Sequence, residues 1–391
     1  MRSYSKILLC SVLILFSSLG LGRFAFGMIL PNMQESLLLT TTQIGFIGTA
    51  NFIGYFIGIL FTSNLYNRFE TYKLIPTALF FQGGSILAIS FSNSYISASV
   101  FYTISGFFAA ISTISIMVYI SHIIPENQKG KALGIVTMGN GFGIIVSGLL
   151  VPLIHAIYIE TSWRISWALF ALTIVIISVY VQNSLKIHDT QQKHSYNKNI
   201  KEIIKTFKFW KVAILYLIFG ITYVVYVTFF VTASIEKFQV STYQSGLFWT
   251  ILGLTSLASG PVFGTLSDKM GGYKSLILIY LLQTVSMLIL VFHLPMYTLY
   301  FSAFIFGLSA WAIPSIIALL SSQEFDKTRT AQVFSLVTLI FAVGQAIAPV
   351  GAGFIHDIYD NFTLVFAGCA FLTLFGTLFA FLVQTKTENK G

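Results

Sequence analysis

Long apolar stretches recur along the whole chain, roughly at 7–31, 43–66, 74–94, 96–122, 131–156, 163–184, 211–234, 244–267, 275–294, 296–321, 330–356 and 361–384. Each has about the length an α-helix needs to cross a ~30 Å hydrocarbon core. The pattern predicts an all-α membrane protein with twelve transmembrane helices. Polar residues fall in short gaps between the runs, with one exception. The segment from Lys186 to Lys208, centred on Gln191 to Lys198, is long and polar enough to be a linker. The chain therefore divides into an N-terminal six-helix half at 1–185, a linker at 186–210 and a C-terminal six-helix half at 211–391. A short amphipathic surface helix is expected over Ile200–Phe207.

Charge fixes the expected orientation. An even number of spans places both termini on one side, and a cytoplasmic N-terminus puts all of the 22 Lys and Arg on that side except Arg164, Lys237 and Arg23. Positive residues concentrate on the cytoplasmic flanks of membrane helices. The net charge of +9 is thereby explained without nucleic acid, since the basic residues form no stripe on a soluble face. The composition, 56% hydrophobic and 9% charged, leaves too little polar surface for a soluble globule of this length. Arg2 and Lys6 before an apolar run resemble a signal peptide, but no small-residue cleavage site follows, so this run reads as the first span. Cys10 and Cys369 lie in apolar runs without an activating neighbour, which argues against a disulfide or a reactive thiol. His188 and His194 in the linker have no third ligand spaced to complete a metal site.

The two halves match when 201 is added to each number. Glu35 then meets Glu236, Thr41 meets Thr242, Gln43 meets Gln244, Gly45 meets Gly246, Gly106 meets Gly307, Gly143 meets Gly344 and His155 meets His356. Loop residues and glycines that keep one gap-free register point to duplication of a six-helix unit. Repeats of this kind build secondary transporters, with the site between the halves near mid-membrane.

Within the spans the polar inventory is sparse. Arg23, in the stretch Gly20-Leu21-Gly22-Arg23-Phe24, is the one charge well inside an apolar run, whereas all 13 Asp and Glu lie in loops or at span ends. An Arg at mid-helix costs about 2.5–3.5 kcal/mol on insertion scales and survives where it faces a cavity or a partner. With no buried acid available, its guanidinium must meet carbonyls, amides, hydroxyls, water or a bound anion. Depth adds Asn51 and Tyr55 on one face of the second span, Asn140 in the fifth, Tyr223 and Tyr226 in the seventh, and Trp249, Trp311 and Gln345 in the eighth, tenth and eleventh. Each can bind solute, and each can equally serve packing or interhelical hydrogen bonding. The runs Gly54-x-x-x-Gly58, Gly139 to Gly148 and Gly344 to Gly353 suit a seam that opens and closes, although static packing uses the same residues. His155 and His356 are the candidate proton sensors.

Twelve spans, a six-plus-six repeat and a central loop resemble the major facilitator superfamily. Its Gly-x-x-x-Asp-(Arg/Lys)-x-Gly loop is matched by Gly264-Thr265-Leu266-Ser267-Asp268-Lys269-Met270-Gly271, while the first-half copy is eroded, with Asn67 before Arg68 in place of the acid. The resemblance assigns Asn67, Arg68, Asp268 and Lys269 to gating. Gly20 through Pro31, followed by Thr49-Ala50-Asn51-Phe52-Ile53-Gly54-Tyr55, is similar to the YbfB/YjiJ-type branch. Many superfamily members carry a proton-coupling Arg in span four; Tyr102 holds that place here, which makes Tyr102 a cavity candidate and removes the Arg's coupling role.

The resulting expectation is a secondary active transporter of a bacterial inner membrane, not an enzyme. It would move a small organic solute, with an anion favoured by Arg23, as a monomer without cofactor or metal. A proton or a counter-substrate is the expected coupling partner. An efflux pump for hydrophobic compounds and a transport-inactive sensor are the alternatives. Motifs for a membrane-embedded hydrolase or nucleotide site, such as His-Glu-x-x-His or Gly-x-x-x-x-Gly-Lys-(Ser/Thr), are absent from the sequence.

Overall fold

The computed structural model describes residues 2–185, 200–325 and 329–388. Among them are twelve helices long and apolar enough to span a membrane: α1 Ser5–Leu37, α2 Thr41–Arg68, α3 Thr71–Ser90, α4 Tyr95–Ile123, α5 Gly130–Ile157, α6 Ser162–Leu185, α7 Phe207–Phe238, α8 Thr242–Met270, α9 Gly272–Val291, α10 Thr298–Glu324, α11 Gln332–Tyr359 and α12 Thr363–Gln384. The surface helix covers Ile200–Ile204 only. Thr206 then caps the next helix through its hydroxyl, so Phe207 belongs to α7 and this span begins ahead of the expected position 211. His188, His194 and the centre of the linker lie outside the described residues.

The repeat is visible in the backbone. Leu38 and Gln239, which are 201 apart, both sit at φ 53, a left-handed conformation uncommon for non-glycine residues. Each is followed by the same capping box, Thr40 with Gln43 and Ser241 with Gln244, in which side chain and backbone satisfy each other at the helix start. Gly106 of α4 presses on the Asn51 carbonyl of α2, and Gly307 of α10 presses on the Leu252 carbonyl of α8, the equivalent contact. The two basic residues expected on the outer side also fall into this symmetry. Arg164 donates to the Ser90 carbonyl at the end of α3, and Lys237 donates to the Val291 carbonyl at the end of α9. Both place a cation at a helix C-terminus, where the macrodipole favours it.

Within each half α2 packs on α4 and α3 on α6, with α8 on α10 and α9 on α12 as counterparts; across the seam α5 meets α8, α11 meets α2 and α1 meets α7. Apolar side chains such as Leu172, Ile176 and Val179 on α6, and Phe371, Leu378 and Phe381 on α12, project outward to form the lipid-facing surface.

Candidate functional site

The seam is closed from mid-height to the face opposite the termini. Gly45 of α2 abuts the Pro349 carbonyl of α11, and its counterpart Gly246 of α8 abuts the Gly148 carbonyl of α5; Pro349 and Gly148 are themselves repeat equivalents. Gly353 abuts Thr41, and Gly27 of α1 abuts the Val227 carbonyl of α7. Asp357 at the end of α11 accepts hydrogen bonds from the backbone N–H of Thr41 and Thr42, at 2.9 and 2.8 Å. Trp249 of α8 donates to Ser147 of α5 at 3.2 Å. Toward the termini the halves part: Gly130, Gly134, Gly260 and Gly264 have open space where a Cβ would stand.

Arg23 lies under this closure on an irregular stretch. Residues Phe16–Phe24 of α1 form a π-helix, a geometry frequent at functional sites. Its glycines make room for what props it open. Gly20 packs against Gly143 of α5, and a side chain at Gly22 would displace Gln82 of α3. Gln82 donates its amide to the Ser18 carbonyl at 2.8 Å, and the Tyr102 hydroxyl donates to the Arg23 carbonyl at 3.2 Å. Two side chains from neighbouring helices thus hold the main chain of this irregular stretch.

The helix does not stop at Pro31 as the apolar run suggests; Pro31 is accommodated inside it and α1 continues to Leu37. Arg23 is therefore about 21 Å from that end at 1.5 Å per residue, beyond the reach of snorkelling. The side chain turns inward instead. Its Nε donates to Asn51 Oδ1 at 2.9 Å, and the Asn51 amide donates to the Tyr102 carbonyl at 3.0 Å. The guanidinium lies over the rings of Phe52 and Tyr55, with centroids 4.6 and 4.2 Å away, which supplies cation–π attraction. Nη2 is buried and has no hydrogen-bond partner. A small cavity of about 10 Å³ lies beside it, lined by Arg23, Asn51, Phe52 and Tyr102 from one half and by Val227 and Thr228 from the other. That is the room one water needs.

The other candidates separate by position. Tyr223 and Trp311 join Phe24 in an edge-to-face cluster with centroids 5.8 to 6.3 Å apart, next to Arg23. Trp311 occupies the break between the two segments of α10, Thr298–Ala310 and Ile313–Glu324. Tyr226 is instead fully buried inside the second half, stacked on Phe306 and hydrogen-bonded to Ser302. Trp249 belongs to the closed seam. Asn140 is buried with its Oδ1 unpartnered, and Gln345 is buried on the α11 face that carries Phe341 and Pro349.

Asn67, Arg68, Asp268 and Lys269 are exposed on the open side, and Asp268 forms no ion pair among the described residues. Gly54 and Gly58 do not line the seam: they pack against Thr103 and Phe107 of α4, because the α2–α4 contact needs that small face. In α5 the glycines split, Gly139 and Gly143 toward α1 and Gly141 and Gly148 toward α8. Phe52, Gln82, Thr228 and Asp357 were not among the sequence candidates. Gln82 carried a signal, since a Gln recurs at 283 in the other half. The repeat equivalents of Arg23, Asn51 and Tyr102 are Val224, Leu252 and Ala303, so the Arg23–Asn51–Tyr102 network belongs to one half alone.

Comparison with known proteins agrees with this fold. The solved inward-facing, occupied structure of a bacterial homolog of the human lysosomal transporter Spinster aligns with a TM-score of 0.77 over 98% of this chain and 97% of that one, at 12% identity. A structure of the nucleoside transporter NupG aligns at 0.80 over 96% and 100%, also at 12% identity. By sequence, the hexuronate transporter of Bacillus subtilis is 28% identical over 153 residues, 38% of this chain and 35% of that protein. The uncharacterized transporter YgaY of Escherichia coli is 28% identical over 129 residues, 32% of each. These alignments span about a third of the curated relatives' length. The family described as "Uncharacterised MFS-type transporter YbfB" matches residues 15–381. A match over nearly every span, together with the duplicated six-helix fold, means that this chain belongs to the YbfB-type family of major facilitator superfamily transporters.

Proposed function

We propose that this transporter carries a small organic anion across a bacterial cytoplasmic membrane by rocking its two halves about the cavity at Arg23. The observation that supports it is the Arg23 guanidinium, buried at mid-membrane with Nη2 unpartnered and no carboxylate at that depth. A buried unpaired cation is costly, and an anion entering the cavity would remove that cost. Asn51 and Tyr102 would hold Arg23 in place, while Tyr55, Tyr223 and Trp311 would line the path. Asn140 and Gln345 are further candidates for solute contact. Trp249 and Tyr226 fit closure and packing better than solute binding. The termini would face the cytoplasm, with Asn67, Arg68, Asp268 and Lys269 meeting when that side closes. Among relatives, the named solutes are small organic molecules, and a hexuronate is an anion.

The test is a thermal-shift screen of the purified protein against organic anions, cations and neutral solutes, repeated on Arg23→Ala. Stabilisation by a true ligand rises as RT ln(1 + [L]/Kd). Anions should stabilise with dose and lose that effect in Arg23→Ala. Neutral ligands that bind independently of salt, with the Arg23→Ala protein unchanged, would support efflux of hydrophobic compounds instead. Flux in proteoliposomes separates transport from sensing, because a sensor binds without flux.

A further inference from the structure

The walls around Arg23 are informative about the body of the solute as well as its charge. Two of the three polar side chains that share the cavity wall with Arg23 are already engaged. Asn51 uses its carbonyl for Arg23 Nε and its amide for the Tyr102 carbonyl. Tyr102 uses its hydroxyl for the Arg23 carbonyl. The remaining cavity wall is Phe24, Phe26, Gly27, Gly48, Phe52, Val227 and one hydroxyl, Thr228. Beyond it the surface continues as rings: Tyr223 and Trp311 against Phe24, then Phe219, Phe341 and Tyr216 of α7 and α11, with Tyr216 and Phe341 stacked at 4.2 Å. Arg23 is also the one cation here, so a second carboxylate on the solute would be buried without a partner.

From this arrangement we infer that the solute is a monocarboxylate with a flat, apolar body, such as an aromatic acid, rather than a sugar acid or a dicarboxylate. The inference rests on Arg23 being the anion ligand. The carboxylate would take Nη2 while the ring lies among Phe24, Tyr223 and Trp311, so affinity would combine one charge-assisted hydrogen bond with aromatic contact. A sugar acid would bring several hydroxyls to walls that offer few partners, and each unpaired buried polar group weakens binding. A dicarboxylate would bury an unpaired charge.

The experiment measures binding of benzoate, benzamide, glucuronate and succinate to the full-length protein in nanodiscs by thermal shift. It is repeated with Arg23→Gln, and with Arg23→Lys as the variant that keeps the charge. Benzoate should bind at least tenfold more tightly than each of the other three. Arg23→Gln should erase the preference for benzoate over benzamide, and Arg23→Lys should keep part of it. Arg23-dependent binding of glucuronate or succinate as tight as that of benzoate overturns the inference and leaves the anion reading standing. Benzamide matching benzoate in the unsubstituted protein overturns the anion reading itself. No response to benzoate in protein that unfolds cooperatively also overturns the inference.

Discussion

Replacing Asp357 by Ala should bias the transporter toward opening on the face opposite the termini. The N–H groups of Thr41 and Thr42 are the first two of α2 and have no acceptor within the helix. They donate to the two Asp357 carboxylate oxygens across the seam, at 2.9 and 2.8 Å. The next N–H, of Gln43, bonds to the Thr40 hydroxyl and does not depend on the other half. Loss of a capping side chain costs about 0.5–2 kcal/mol, and a carboxylate at a helix N-terminus contributes about 0.3–1 kcal/mol. The Asp357 side chain is 29% exposed, and its partners regain water when the seam opens. The latch should therefore be worth about 1.5 kcal/mol, roughly a tenfold change in the open-to-closed ratio. The equivalent position in the first half is Ala156, so the α5–α8 seam has no second copy of this latch.

Thr228→Cys provides the reporter. It lies on the cavity wall beneath the closed seam, and Cys10 and Cys369 would first be replaced by Ala. A membrane-impermeant maleimide applied from the face opposite the termini should label this site about tenfold faster in Asp357→Ala than in the parent. Asp357→Asn should fall between, because Asn keeps one neutral acceptor. Unchanged labelling in Asp357→Ala would refute the latch, provided that Gly246→Leu, which wedges the seam directly, does speed labelling.

The glycines and buried amides separate packing from motion. Gly54→Ala places a methyl against the Thr103 carbonyl inside the first half and should lower the yield of folded protein and its Tm. Gly246→Ala places one against the Gly148 carbonyl across the seam. It should leave Tm largely intact but favour the state open on the face opposite the termini, as read by the same labelling. Gln82→Met removes the side-chain donor to the Ser18 carbonyl of the π-helix and should destabilise by about 0.5–1.5 kcal/mol. Gln283→Met, at the repeat-equivalent position, removes a buried amide that has no partner at either end and should be neutral or stabilising in the same denaturation assay. Lys211 donates to Glu324 at 2.8 Å, and Tyr273 donates to the same carboxylate. Lys211→Met should therefore cost about 3 kcal/mol by leaving a buried acid uncompensated, and Lys211→Met combined with Glu324→Leu should recover most of that loss. Absence of coupling in the double-mutant cycle would remove the pair from the stability account.

Much of this molecule follows from one-dimensional information, for identifiable reasons. A helix that must satisfy its own backbone in lipid has to be long and apolar, so the twelve spans are evident as runs. A repeat at a constant offset of 201 keeps Gly45 and Gly246, Gly106 and Gly307, and the two capping boxes in register. Arg23 stands out because a charge at depth is rare whatever surrounds it. Local pattern could not reveal what that charge meets. The π-helix of α1 receives hydrogen bonds from Gln82 of α3 and Tyr102 of α4, partners that only the packed structure brings to it. The apolar run closes at Pro31, yet the helix continues past it to Leu37. Gly54 and Gly58 read as a sliding face, but only the neighbour they meet, α4, assigns them to static packing. Asp357 looked like one more acid at a span end, and it is the approach of α2 from the other half that turns it into a cap. Lipid and backbone hydrogen bonding act on each segment separately and are written along the chain. The cavity and the latch arise where segments far apart in sequence meet, and only the packed structure sets those partners.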